Sequence, residues 1–204
     1  MGYYPVMIDL TDRKCLVVGG GEVGARKARA VREAGARVTV VAPEVDPALE
    51  SIDGVEILRR EYRPGDVSGA ALVFAATGDR SVNMAIADDA RAAGIPVNVV
   101  DDPELCSFIV PSVVRRGDLL IAVSTSGASP ALAKKIRRDI EDRYGPEYGG
   151  LVKLMAELRA EVKSRHRSHG ERDAAFGRML ECGILELLSQ GRVDEARERA
   201  IKCI

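Results

Sequence analysis

This chain has no excess of charge of either sign: 30 Lys and Arg against 31 Asp and Glu leave a formal net charge of -1. With no basic surplus to neutralise phosphates, the balance argues against a general nucleic-acid binder. No apolar run reaches the roughly 18 residues needed to cross a bilayer, so no membrane is expected as a partner. The start, Met1-Gly2-Tyr3-Tyr4-Pro5-Val6, lacks a basic region ahead of an apolar stretch and does not read as a signal peptide. Gly2 invites an N-myristoylation reading, but Val6 stands where that signal has Ser or Thr. A cytoplasmic location is the expectation. Cysteine is scarce: Cys15, Cys106, Cys182 and Cys203 are scattered, with no C-x-x-C pair. That indicates neither a disulfide framework nor a zinc site. Histidine occurs only as His166 and His169. Their interval can put both rings on one side of a helix, but Lys163, Arg165, Arg167 and Arg172 would repel a cation, and no metal is expected there.

What is present is ordinary for a soluble globular protein, 46% hydrophobic and 30% charged. A length of 204 residues suits one domain or two. The most informative segment is Gly19-Gly20-Gly21-Glu22-Val23-Gly24. Before it, Cys15-Leu16-Val17-Val18 reads as a buried parallel strand. After it, Val23, Ala28 and Val31 recur at helical spacing until Gly35. Gly19, Gly21 and Gly24 fit G-x-G-x-x-G. The first allows a tight turn, the second a close approach of backbone to pyrophosphate, and the third close packing of helix on strand. The alternative is a glycine-rich strand–helix turn without a ligand.

The first half alternates strands (Cys15–Val18, Arg37–Ala42, Val55–Leu58, Ala71–Ala75, Pro96–Val100) with helices (Val23–Ala34, Arg80–Ala93). That rhythm predicts an α/β, Rossmann-like domain with a parallel sheet, its ligand crevice at the carboxyl ends of the strands. Ser107–Arg115 and Leu119–Ser124 then read as a β-hairpin around Arg116-Gly117-Asp118. Its edges need a partner. From Ala131 the chain reads as helical, with a basic stretch at Lys163–Arg172 before helices around Ala174–Ser189 and Val193–Cys203. The expected organisation is 1–110, a nucleotide-binding domain; 111–146, a β-rich dimerisation segment; and 147–204, a small helical domain.

Several residues could carry chemistry. Glu44, just past Pro43 and the second strand, either reaches a ribose hydroxyl or is a solvated loop acid. No arginine occupies this loop, which favours NAD over NADP. Arg26 and Lys27 are either phosphate contacts or a basic helix surface. Thr77, at the exit of the fourth strand, either faces the nicotinamide half of the cofactor or caps the next helix, as Asp79 or Ser81 could. The fifth strand leads into Asn98-Val99-Val100-Asp101-Asp102-Pro103. Asp101 at its tip is placed to move a proton, and partial burial there would raise its pKa. Asp102 before Pro103 reads as a turn residue; equally, both acids could simply end a strand. Ser124-Thr125-Ser126-Gly127-Ala128-Ser129-Pro130 opens a helix that needs only Ser129 as its cap. The surplus of small hydroxyls suggests an anion site for carboxylates or phosphate.

Taken together, Tyr4-Pro5-Val6, Cys15–Lys27, Ala75-Ala76-Thr77, Asn98–Asp101, Ser107–Ser112 and Ser124–Ala133 make the chain resemble the precorrin-2 dehydrogenase family, the siroheme-synthase N-terminal module. The resemblance implies a Rossmann-like NAD-binding domain, a dimerisation segment pairing strands across two subunits, and a helical domain. It also implies a reaction: NAD⁺ oxidises precorrin-2 to sirohydrochlorin. Asp101 would act in proton transfer. Glu22, Val23, Pro43 and Glu44 would contact NAD beside Gly19, Gly21, Gly24 and Thr77. Asn98, Ser124, Thr125, Ser126 and Gly127 would meet the tetrapyrrole. Bifunctional members also insert Fe²⁺ or Co²⁺ as a co-substrate, and the residues here are compatible with either case. Some members carry a phosphorylated serine where this chain aligns Thr125, so regulation there is in question. The methyltransferase module of fused siroheme synthases is not expected. The rival reading from another class is a non-catalytic NAD-sensing regulatory domain.

Overall fold

The computed structural model describes residues 2–204, which divide into two compact units, through Ile109 and from Val110. The first unit carries β1 (Lys14–Val18), α1 (Glu22–Glu33), β2 (Arg37–Val41), α2 (Pro47–Glu50), β3 (Val55–Leu58), β4 (Leu72–Ala75), α3 (Arg80–Ala92) and β5 (Val97–Val99). All five strands are parallel, in the order β3-β2-β1-β4-β5. The order reverses between β1 and β4, and that switch point opens a crevice at the strands' carboxyl ends.

Helices cover both faces of the sheet, which is why these strands are almost wholly apolar. On one face Cys15, Val17, Val38, Val40 and Phe74 pack with Ala28 and Val31 of α1 and Leu49 of α2. On the other, Leu16, Val18, Val73 and Val97 pack with Ile86, Ala87 and Ala90 of α3. The predicted strands match within a residue or so at each end. The short α2 was not anticipated; Asp46 starts it by accepting the Ala48 N–H at 2.7 Å, with Pro47 at the first helical position.

The β3–β4 connection, Arg59–Ala71, contains no helix. Side-chain clasps hold it instead. Arg60 grips Asp66 with two hydrogen bonds of 2.7 and 2.8 Å, and the Tyr62 hydroxyl donates to Asp89 at 2.6 Å. Lys14 Nζ adds bonds to the carbonyls of Asp66 and Ser68. A groove of about 580 Å³ remains on this side of β1–β3, lined by Lys14, Arg37, Thr39, Glu56 and Asp66 among others.

One predicted strand is corrected. Ser107–Arg115 is not a single strand; β6 begins at Ser112, and residues 106–108 run along the outer edge of β5. The Ser107 N–H donates to the Val97 carbonyl and its Oγ accepts the Val97 N–H, each at 2.8 Å. Cys106 Sγ accepts the Val99 N–H at 3.1 Å, and Phe108 packs edge-to-face on Phe74. Side chains here replace a sixth strand.

The second unit begins with an antiparallel pair, β6 (Ser112–Arg116) and β7 (Leu119–Val123), turned at Gly117 with φ +57°. Helices α4 (Pro130–Arg143), α5 (Glu147–Arg165), α6 (His169–Glu181), α7 (Ile184–Ser189) and α8 (Val193–Lys202) follow. The Arg116 guanidinium caps the end of α4, donating to the carbonyls of Glu141 and Tyr144. Leu151, Leu154, Leu158 and Val162 of α5 pack with Met179, Ile184 and Leu187. The helix expected around Ala174–Ser189 is two helices, broken at Gly183 with φ +76°. Within the basic stretch, Ser168 and Glu171 form a reciprocal capping box that starts α6. His169 pairs with Asp173 at 2.8 Å and His166 lies 3.3 Å from the Ile204 carbonyl, so the two rings have separate partners. Among the described residues no helix is long and apolar enough to cross a membrane, and no group of His, Cys, Asp and Glu is disposed to hold a metal.

Candidate cofactor and proton-transfer site

Each glycine of the turn after β1 has its own physical reason. A Cβ on Gly19, at φ +121°, would lie 2.2 Å from the Ala76 carbonyl oxygen. One on Gly20 would lie 2.0 Å from the Glu44 carbonyl oxygen, and one on Gly24 2.0 Å from that of Gly19. These three glycines let the exits of β1, β2 and β4 and the start of α1 approach one another. Gly21 differs: nothing lies within 4 Å of its Cβ position. It is also the N-cap of α1 and offers no side-chain cap. The amides of Glu22, Val23 and Gly24 precede the first intrahelical bond, from the Ala25 N–H to the Gly21 carbonyl. Open space in front of uncapped helix amides is what a pyrophosphate needs, so the residues fit a dinucleotide.

In front of Gly21 lies a crevice of about 960 Å³. Gly19, Gly20 and Gly21, Pro43, Glu44, Thr77 and Asp79 line it, together with Glu61, Tyr62 and Pro64 of the helix-free connection and one side of α3. The structure thus brings Gly19, Gly21, Pro43, Glu44 and Thr77 together. Glu22, Val23 and Gly24 stand behind them at the start of α1. Sequence reasoning missed Gly20 and the Glu61–Pro64 wall. The first gave a signal in the unbroken glycine triplet; the second gave none, because an irregular connection has no periodicity. Arg26 and Lys27 do not line the crevice. Lys27 is half-buried with Nζ 5.6 Å from the centre of the Phe74 ring, and burial first, then Arg26, lowers its pKa.

At the β4 exit, Asp79 is the cap of α3, accepting the Ser81 N–H at 2.7 Å. Its hydrogen bonds from the Ser81 side chain and backbone hold its carboxyl below the usual range. Thr77 is tied to the buried Asn83: its hydroxyl lies 2.8 Å from Oδ1, and its carbonyl accepts from Nδ2 at 3.1 Å. Asn83 therefore fixes the turn that forms this wall of the crevice.

Beyond β5 the two acids have different surroundings. Asp102 pairs with Arg80 at 3.0 Å. Asp101 has no hydrogen-bond or ion-pair partner among the described residues and takes a left-handed backbone, φ +59°. The strand ends at Val99, so Asp101 belongs to the following turn, and it is exposed rather than half-buried. Its left-handed conformation, uncommon outside glycine, costs about 1 kcal/mol. Asn98 is buried in β5 and donates its amide to the Phe108 carbonyl at 3.1 Å, so it pins the segment sealing β5.

In the second unit, the hydroxyls before α4 are largely committed within their own loop. Ser124 Oγ accepts the Ser126 N–H, and the Thr125 hydroxyl bridges the Ser129 N–H and carbonyl, all at 3.0 Å. Ser129 caps α4 by accepting the Leu132 N–H. Ser126, exposed at φ +53°, and Gly127, at φ +87°, form the tip of this loop.

Comparison with known proteins accounts for this arrangement in three consecutive spans. An NAD(P)-binding family model matches residues 6–112, the sirohaem biosynthesis protein central region matches 116–143, and the sirohaem synthase dimerisation region matches 147–202. The chain belongs to this NAD(P)-binding family. The family's dimerisation region thus falls on α5–α8, and its central region on the hairpin turn, β7 and α4. The chain is 44% identical to the siroheme synthase of Thioalkalivibrio sulfidiphilus over 207 residues, covering 100% of this chain and 42% of that protein. It is 42% identical to that of Pseudomonas aeruginosa, covering 96% of this chain and 43% of the other. It therefore spans about two fifths of the length of these curated relatives. Among solved structures, SirC, a precorrin-2 dehydrogenase, superposes with a TM-score of 0.74 at 27% identity, covering 98% of this chain and 100% of that one.

Proposed function

We propose that this chain is an NAD-dependent dehydrogenase that oxidises precorrin-2 to sirohydrochlorin. The observation that carries the reading is end-to-end similarity to a precorrin-2 dehydrogenase, joined to a crevice in which Gly21 leaves helix amides open. Bound NAD⁺ supplies a two-electron oxidant. The amides after Gly21 would hold its pyrophosphate, and Glu44 would meet the adenosine ribose. Thr77, at the exit of β4, would stand on the side of the crevice that serves the nicotinamide half. Asp101, on the turn beyond β5 and free of any partner, accepts the proton released as the macrocycle loses electrons. Ser126, Gly127 and the start of α4 suit the carboxylates on the substrate's rim. Asp102, locked to Arg80, takes no part. The same free carboxylate can assist loss of pyrrole protons, so insertion of Fe²⁺ or Co²⁺ into sirohydrochlorin is proposed as a second activity.

The reading is tested anaerobically with precorrin-2 and NAD⁺, following sirohydrochlorin and NADH together. Their appearance in equal amounts is expected; NADH binding without any turnover would favour the NAD-sensing alternative. For the second activity, the spectrum of sirohydrochlorin with Co²⁺ should change faster with enzyme than without.

We also propose that the chain works as a homodimer in the cytoplasm. The match of residues 147–202 to a dimerisation region supports the dimer and adds α5–α8 to the 111–146 segment expected to form it. The β6–β7 ribbon with α4 is proposed as a further part of the interface. A two-stranded β6–β7 ribbon is marginal alone, and its outer edges pair with no other strand among the described residues. Val113 is 42% exposed, and Leu132 and Ile136 of α4 are 48% and 36% exposed. Val113→Asp with Leu132→Asp is expected to leave helical content unchanged and to halve the mass in solution by light scattering. A double variant that stays dimeric would move the interface elsewhere.

A further inference from the structure

The crevice lining is one-sided in charge. Glu44, Glu61, Asp79, Asp88 and Asp89 all line this crevice, and no Lys, Arg or His does so among the described residues. Three of these carboxylates are already engaged. Asp79 caps α3, Asp88 pairs with Arg91, and Asp89 accepts the Tyr62 hydroxyl. Glu44 and Glu61 are exposed and have no ion-pair partner among the described residues. The nearest cations in sequence cannot balance Glu61, since Arg59 is paired with Glu50 and Arg60 with Asp66, while Arg63 lies outside the lining. The Tyr62–Asp89 bond anchors the segment on α3, so Glu61 is held at the wall.

We infer that Glu61 is a specificity-determining residue which, with Glu44 on the facing loop, rejects dinucleotides carrying a 2′-phosphate. This rests on the cofactor reading above and extends it to a residue of the helix-free connection. Glu44 follows β2 and Glu61 follows β3, the side of the switch point that would receive the adenosine half. A 2′-phosphate there would bring about two negative charges against two uncompensated carboxylates. The ribose of NAD presents neutral hydroxyls that a carboxylate can accept. Because both acids are exposed, their repulsion is screened by salt.

Direct binding tests this without turnover. The chain has no tryptophan, so the emission of bound NADH and NADPH can be titrated free of tryptophan background. The wild-type chain should bind NADH tighter than NADPH by about a hundredfold at low salt, and the preference should shrink as salt is raised. Glu61→Gln should narrow it about fivefold and Glu61→Lys further, with circular dichroism unchanged. Glu44→Gln combined with Glu61→Gln should remove most of its salt dependence. Equal binding of both dinucleotides by the wild type, or a ratio untouched in Glu61→Gln and Glu61→Lys, overturns the inference while leaving the cofactor reading intact. Failure of the wild type to bind NADH overturns the cofactor reading, and this inference with it.

Discussion

Asp101→Asn is expected to lower kcat for precorrin-2 oxidation by about 10²–10⁴-fold while leaving NADH affinity and Tm almost unchanged. Asparagine is chosen because Asp101 sits at φ +59°, and Asn tolerates that conformation nearly as well as Asp. The amide keeps size and backbone but cannot accept a proton as a carboxylate does. Asp102→Asn is the matching control: it breaks the pair with Arg80, a partly exposed contact worth about 1 kcal/mol or less, and should cost stability more than turnover. If Asp101→Asn turns over like the wild type, the proposed proton acceptor is wrong.

The second large effect separates glycines that adjoin in sequence. Gly19→Ala should destabilise the first unit by about 3 kcal/mol or more, because its Cβ would meet the Ala76 carbonyl and its φ is positive. That corresponds to a Tm fall of roughly 6–12 °C. Gly21→Ala should leave Tm within about two degrees, since its φ of -78° suits alanine. It should nonetheless weaken NADH binding by about tenfold or more, because a methyl group would stand in the open space before the helix amides. Thermal melts and NADH titrations on the two variants check both halves. Tight NADH binding by Gly21→Ala would place the pyrophosphate elsewhere.

The parts legible in the sequence were those governed by local rules. Buried parallel strands announce themselves as apolar runs, and Val55–Leu58 was read to the residue. The turn of glycines marks the edge of the sheet where the crevice opens, and Asp102, which reads as a turn residue, is tied to Arg80. What escaped notice depends on distant partners. Nothing near Tyr62 in the chain reveals that its hydroxyl bonds Asp89, 27 residues away. Asn83 reads as an ordinary helix residue until its clasp on Thr77 is seen. The surplus hydroxyls of Ser124 and Thr125 suggested a ligand, yet most of them build the loop they stand in. Similarly, Ser107-Phe108-Ile109-Val110 has the composition of a strand, but the Ser107 side chain and the Phe108 carbonyl serve β5.

That last arrangement has a colloidal consequence. An outermost strand with idle amides is a template on which other chains can add, and sheets left bare in this way seed precipitation. Here Ser107 and Cys106 occupy the amides of Val97 and Val99 with a hydroxyl and a sulfur. Two small side chains thus occupy the amides on which another chain could otherwise add.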